Sequence, residues 1–403
     1  MSKVVPKNII KLEGDKGLWA IYISLVFVSL IVVFSSTESL ALRIGTPWFF
    51  IIKHTIFILV GATLAYVFHK FVRYTYHFVF ANIFYLLGLG LLVLTLFYGV
   101  SLNQASRWIV IPGTGFTFQS SDLAKFALIN FLAARLYKLK DDVRKFKVLF
   151  WHLVIPTLLI VILIMPANLS TAIIVTLASF ILIWIGGARL WHLLLVGLIG
   201  IILMVSLIWG MNYFMPHSRV GTWKNRIERF INNDDKKTDE LTAGNYQATQ
   251  AKIAIATGGL VGKGAGKSVQ KSVLPHPYSD FIFAIILEEY GLWGGFIVMS
   301  FYVFLFFRVV RLSARVEQRS FAMYLMLGIV LIITLQAFVN MAVAVGIMPV
   351  TGQPLPLISM GGSSFIIMSI AYGILISISK TVDKKDKNKI KKDKNEAGLE
   401  NNN

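Results

Sequence analysis

Cysteine is absent from the 403-residue chain. That excludes disulfides, thiolate nucleophiles and Cys-ligated zinc or iron–sulfur sites, and it suits a chain exposed in part to an oxidising exterior. Charge is scarce as well. Asp, Glu, Lys and Arg make up 15% of the residues, against roughly 25% in an ordinary soluble domain. No stretch alternates apolar and polar residues as a membrane-barrel strand does. What fills the chain is apolar: 56% hydrophobic residues and a mean hydropathy of +0.70. Lipid is therefore the solvent expected for most of the surface, and unpaired backbone groups cannot face lipid, so the apolar runs are expected to be helices.

Ten such runs are read, near 17–37, 48–68, 76–98, 122–137, 147–165, 168–187, 190–214, 281–309, 321–345 and 361–379. The fourth is short and carries Lys125. The first follows Lys3, Lys7, Lys11 and Lys16 and has no small-residue cleavage site after it, so it reads as a span rather than a cleavable signal. The organisation expected is a short cytoplasmic segment over 1–16, a polytopic membrane domain over 17–380 with a large outer loop at about 215–280 between the seventh and eighth spans, and a basic disordered tail over 381–403.

The formal net charge of +19 resembles a nucleic-acid signal, but no basic stripe is interleaved with stacking aromatics. The cations instead sort by side. With the N-terminus in the cytoplasm, the inner connections hold Lys70, Arg73, Lys138, Lys140, Arg144, Lys145, Lys147, Arg189, Arg308, Arg311, Arg315 and Arg319, and the tail adds seven lysines from Lys384 to Lys394. The short outer connections hold Arg43, Lys53 and Arg107. This positive-inside bias puts both termini in the cytoplasm. The tail reads as a solvated, lipid-brushing segment or as a docking tail for a cytoplasmic partner.

Three outer segments carry more than a connection needs. One runs from Asn103 through Arg107-Trp-Ile to Phe118-Gln-Ser-Ser-Asp-Leu-Ala-Lys125; one is the long loop; the third is Gly346 to Ser364, rich in Gly and Pro. Within the long loop, Tyr246 to Ala256 has helical spacing. The glycine stretch Gly258-Gly-Leu-Val-Gly-Lys-Gly-Ala-Gly-Lys-Ser268 is not a P-loop, because Val261 stands where that motif needs glycine. It reads either as backbone that approaches a lipid phosphate with Lys263 and Lys267, or as a tight turn at the interface. Asp280 opens the span beginning Phe281-Ile-Phe. A carboxylate there is a general-base candidate, a helix N-cap, or both. Glu288 and Glu289 lie deeper and call for a function or for a cationic partner, Lys125 or Arg107. Arg107 beside Trp108 is an interface anchor or a phosphate grip, and His276 between two prolines is a loop hydrogen-bonder before it is a metal ligand.

Arg107-Trp-Ile, Phe118 to Lys125, Gly258 to Gly264, Leu274-Pro275, Asp280-Phe-Ile-Phe283, Glu288-Glu289-x-Gly291 and Pro354-Leu-Pro-Leu-Ile-Ser-x-Gly-Gly-Ser-Ser364 together resemble the SEDS family (shape, elongation, division and sporulation). The resemblance runs in order over about 17–380. It implies an all-α integral membrane fold of ten transmembrane helices and a peptidoglycan glycosyltransferase that polymerises lipid II on the outer face of the bacterial cytoplasmic membrane. It further implies a class B penicillin-binding protein as partner, beside other division proteins at the septum. It maps the family's essential loop aspartate onto Asp280, its arginine before Trp-Ile onto Arg107 and its lysine at the start of the fourth helix onto Lys125. With Asp280 as the catalytic candidate, the candidate substrate-binding residues are Arg107, Lys125, Asp122, Gln270, Lys271, Glu288 and Ser363. No cofactor is fixed; a divalent cation, Mg²⁺ or Mn²⁺, held largely by substrate phosphate is the one to test. Two departures stand out. Gln119-Ser-Ser-Asp122 replaces the usual Gln-Pro-Ser-Glu, and Pro166-Ala-Asn-Leu-Ser-Thr171 puts Asn168 where the family carries an acid. The basic tail and the Pro-His-Pro-Tyr-Ser approach to Asp280 favour the division-type over the elongation-type branch. The rival readings are a transporter of lipid-linked precursors and a scaffold that recruits division proteins.

Overall fold

A computed structural model describes residues 13–46, 48–102, 105–111, 116–214, 243–274 and 277–400. Among them the chain is a bundle of helices with one small sheet. In chain order the helices are α1 (Lys16–Ile44), α2 (Phe49–Lys70), α3 (Tyr74–Val79), α4 (Ala81–Tyr98), α5 (Ser120–Leu139), α6 (Phe146–Ile164, with a π-helical stretch at Phe150–Val154), α7 (Leu169–Ile185), α8 (Leu190–Phe214), α9 (Ala243–Gly258), α10 (Ile282–Ser313), α11 (Phe321–Ala344) and α12 (Ser363–Glu400). All ten apolar runs fall on helices. Seven of these, α1, α2, α4, α6, α10, α11 and α12, are long and apolar enough to cross a membrane. Of the other three, α5 is 20 residues long but carries Asp122, Lys125, Arg135 and Lys138, while α7 and the Leu190–Ile202 part of α8 are apolar but shorter.

The pattern of burial is that of a membrane protein. The α11 span is 83% buried and that of α12 is 67%, whereas α2 is only 22% buried. The outer helices nevertheless expose Phe27, Ile56, Leu86, Phe97, Trp191 and Phe304. So many large apolar side chains facing outward are stable only against lipid. At the centre, α11 packs on α10 and α5, while α12 packs along α2 and α4 along α5.

Asp15 fastens one end of the bundle. It caps α1 by accepting from Leu18 N at 2.9 Å, takes the Arg308 guanidinium of α10 at both oxygens, and donates its own N–H to Ser379 Oγ of α12 at 3.0 Å. Burial raises the Asp15 carboxyl, but the Arg308 bonds and charge and the Leu18 and Gly17 amides outweigh it, so the group titrates below the ordinary carboxylate value.

The helical membrane fold expected from the sequence is the one observed, with one addition and one correction. The addition is a three-stranded antiparallel meander, β1 (Val100–Leu102), β2 (Ala105–Ile111) and β3 (Phe116–Gln119). Trp108-Ile-Val-Ile111 and Phe116-Thr-Phe118 are β-branched and aromatic, and Ile109 pairs with Phe118 across the ladder; short strands of this kind are hard to tell from apolar helix starts. The tail read as disordered continues α12 to Glu400. Its lysines are good helix formers with neither Gly nor Pro among them before Gly398. Extending a helix already nucleated in the bundle avoids the nucleation cost. Of the long loop, residues 215–242, with Arg219, Lys224, Arg226 and Arg229, lie outside the described residues, as do Pro275 and His276; the helical spacing after them is realised in α9.

Candidate active site

Asp280 sits half-buried at the head of α10 and does not cap it. The cap position is Phe281, and no side chain bonds the first turn. The carboxylate accepts instead from Ser279 Oγ at 2.8 Å. The backbone beneath it is pinned residue by residue: Tyr278 O accepts from Met360 N at 3.0 Å, Ser279 O from Ser359 Oγ at 2.7 Å, and Asp280 O from Asn340 Nδ2 at 2.9 Å. Three consecutive carbonyls fixed in this way leave little freedom to the carboxylate they carry. Burial, and then the negative charge of Asp280, push the Tyr278 phenol above its ordinary value, so it stays protonated beside the acid. The segment that supplies Ser359 and Met360 holds Leu357 in the left-handed region at φ 62°, a strain of about 1–3 kcal/mol that the surrounding packing must impose.

Among the described residues this network also holds a buried cation, Lys125, itself 1% exposed. Its Nζ donates to Asp122 Oδ1 at 2.8 Å and to Gln336 Oε1 at 2.7 Å. Gln336 passes the link on through Nε2 to Pro354 O at 2.9 Å. Asn340, four residues along α11, donates from one Nδ2 to both Asp280 O and Gln353 O, the latter at 2.6 Å. Gln353 Nε2 reaches Thr171 Oγ1 at 2.7 Å, and Thr171 N donates to Asn168 Oδ1 at 3.2 Å. Asn168 is thus the N-cap of α7, a role a neutral amide performs as well as an acid. Sequence reasoning missed Gln336, Asn340 and Gln353. The signal was available: two amides at i and i+4 in an otherwise apolar span.

The glycine stretch is read directly from its backbone. Gly291 breaks α10 with φ 66° and ψ −167°, which leaves carbonyls and amides without helical partners. The stretch supplies them. Lys263 N and Gly264 N donate to Glu288 O and Glu289 O at 3.0 and 2.9 Å, and Leu292 N donates to Gly259 O at 3.0 Å. A Cβ on Gly258 would lie 2.0 Å from Leu287 O, and one on Gly262 would lie 2.3 Å from Glu289 O. Of the two readings left open, the tight turn is the one realised, because the Lys263 and Gly264 amides that would greet a phosphate are spent on carbonyls.

Glu288, fully buried, takes Lys263 Nζ at 2.6 Å, Ser268 Oγ, Val269 N at 3.1 Å and Gln270 N at 3.3 Å. Its cationic partner among the described residues is Lys263, so the expected pairing with Lys125 is corrected, while the Arg107 side chain lies outside the described residues. The glycine turn brings Lys263 back onto α10, where its own N–H bonds Glu288 O and its Nζ reaches the carboxylate. Glu289 accepts from Ser35 Oγ on α1. Lys271 donates to Glu38 Oε2 at 2.5 Å and to Gly266 O at 2.6 Å, while Gln270 is buried beside it. Ser363 is fully buried and accepts from Gln119 N at 3.1 Å, which ties the end of β3 to α12.

Of the predicted site residues, Asp280, Lys125 and Asp122 thus share one network through α11. Glu288, Gln270 and Lys271 form a second that shapes the loop before Asp280, and Ser363 serves as a joint. Arg107 lies on β2, and its side chain lies outside the described residues. Among the described residues no three His, Asp or Glu side chains converge to hold a metal ion.

A family model described as "Cell cycle protein", covering the FtsW, RodA and SpoVE type, matches residues 15–384. The probable peptidoglycan glycosyltransferase FtsW of Halomonas elongata is 33% identical over 373 residues, 90% of each chain. That of Coxiella burnetii is 30% identical over 383 residues, 93% of this chain and 98% of its own. Two solved structures share the fold at 24% identity. One, described as showing the structural coordination of polymerization and crosslinking by a peptidoglycan synthase complex, has a TM-score of 0.72 over 92% of this chain and 99% of its own. The other, the rod shape determining protein RodA of Thermus thermophilus, has a TM-score of 0.64 over 91% and 96%.

Proposed function

The chain belongs to the FtsW/RodA/SpoVE cell cycle protein family, and from that membership we propose that it is a peptidoglycan glycosyltransferase of the FtsW type that polymerises lipid II during cell division. The observation that carries the reading is Asp280: a half-buried carboxylate, spent on no helix cap, on a loop whose three successive carbonyls are pinned. Glycosyl transfer from a polyprenyl pyrophosphate needs one base to take the proton of the acceptor hydroxyl as it attacks the donor sugar. Asp280 is that base. Cations must also offset the charge of the departing pyrophosphate. Arg107 is assigned to it directly. Lys125, with two of its three N–H groups already engaged, contributes its field and its remaining N–H.

The positive-inside bias supports an even number of crossings with both termini cytoplasmic, and with the ten spans proposed Asp280 lies on the outer face, where lipid II presents its sugars. A class B penicillin-binding protein is the partner proposed, at the septum. Any Mg²⁺ or Mn²⁺ would arrive held by substrate phosphates, a point tested by chelation and add-back. The decisive experiment incubates the purified full chain, with and without that partner, with labelled lipid II and scores glycan polymer. Polymer that forms with the wild-type chain and is lost in Asp280→Asn supports the reading. Lipid II movement across vesicles with no polymer under any condition identifies a transporter instead.

A further inference from the structure

Asp280 and Lys125 come from segments 155 residues apart in the chain, yet both are held by one helix. Helix α11 is the most buried of the candidate spans at 83%, where an amide side chain is costly unless each polar atom is used. Gln336 and Asn340 lie four residues apart, on one face and about 6 Å apart along the axis. Gln336 joins Lys125 Nζ to Pro354 O; Asn340 joins Asp280 O to Gln353 O. The Oδ1 of Asn340 is buried without a partner among the described residues, so this amide is held by its nitrogen alone. A third polar group on the same helix behaves differently. Thr334 Oγ1 bonds only Val330 O and Leu331 O of its own turns, the usual way a hydroxyl is silenced inside a span.

We propose that Gln336 and Asn340 are positioning residues that hold the Lys125 cation and the Asp280 loop in a single register along α11, so that base and cation act on one substrate. Neither touches the reacting atoms. Each acts through the group it holds, and the proposal rests on the reading of Asp280 as the base. Misplacing such a group by about 1 Å can cost on the order of a hundredfold in rate, without changing the surfaces that bind the substrate.

The test measures kcat and KM for labelled lipid II with the full chain, per mole of monodisperse folded protein, for Asn340→Leu, Gln336→Leu and the control Thr334→Val. Asn340→Ser is included because it is smaller and keeps a donor should the leucine variant not fold. The expected result is a kcat per folded molecule about ten- to a hundredfold down for Asn340→Leu and Gln336→Leu, a KM within about twofold, an intermediate kcat for Asn340→Ser and an unchanged one for Thr334→Val. A purely structural staple predicts less folded protein but normal kcat per folded molecule, and that outcome overturns the proposal. Asp280→Asn is run alongside. If it retains full activity, the reading of the site fails; if it is inactive while Asn340→Leu and Gln336→Leu are unimpaired, only the positioning inference fails.

Discussion

Asp280 does no capping work, which sharpens what its substitution tells. Asp280→Asn keeps the volume and can still accept from Ser279 Oγ, so thermal stability should stay near that of the wild type. Loss of a general base should lower polymerisation by about 10²- to 10⁴-fold. Near-normal glycan synthesis by a well-folded Asp280→Asn chain would remove the catalytic assignment. Lys125 poses the opposite case, because it is buried against Asp122. Lys125→Met strands that carboxylate in the bundle and should cost about 3–5 kcal/mol of stability, whereas Lys125→Met with Asp122→Leu should recover much of it. Melting temperatures of the two variants in one detergent decide the matter; equal losses would mean that the pair is not coupled.

At the scale of elements, the glycine turn and the break in α10 form one interlocked unit. Its consequence is a contrast between glycines. Gly258→Ala drives a methyl into Leu287 O and should destabilise by about 1–3 kcal/mol through overpacking, with loss of activity because the turn leads towards Asp280. Gly200→Ala in α8, where a Cβ meets nothing within 4 Å, should be neutral or slightly stabilising. Thermal unfolding of both variants tests this, and a harmless Gly258→Ala would show that the two backbones are not in contact.

Across the whole molecule, the Asp15 junction ties α1 to α10 and α12. Because the Asp15 carboxyl titrates below its ordinary value of 3.8 when folded, its contribution is present above that value and fades as pH falls through the lower folded one. Asp15→Asn should therefore melt below the wild type at neutral pH, with the gap closing under strongly acidic conditions; a gap independent of pH would show that the charge contributes nothing. The proposed orientation is testable in the same cysteine-free background. Cysteine at exposed Ala265 should react with an impermeant reagent from outside, and cysteine at exposed Asp142 only after the membrane is permeabilised. The reverse pattern overturns the topology.

Composition and hydropathy were sufficient to determine a helical membrane protein and where its apolar runs lie, because burial in lipid imposes a local requirement that each span meets on its own. Local motif chemistry likewise singled out Asp280, Lys125 and the glycine stretch, and excluded a P-loop by one residue. Tertiary structure decided the rest. It paired Glu288 with Lys263 rather than Lys125, freed Asp280 from a cap, turned the glycines into a backbone clamp, and placed Gln336 against Lys125 and Asn340 against Asp280. The tail and the small sheet also depended on neighbours, the one on a helix already nucleated and the other on strand partners. For the polar contacts a hydrogen bond selects its partner by position in space, because it needs donor and acceptor within about 2.7–3.2 Å and nearly in line. Sequence spacing along one segment therefore carries no record of which distant segment supplies the other half.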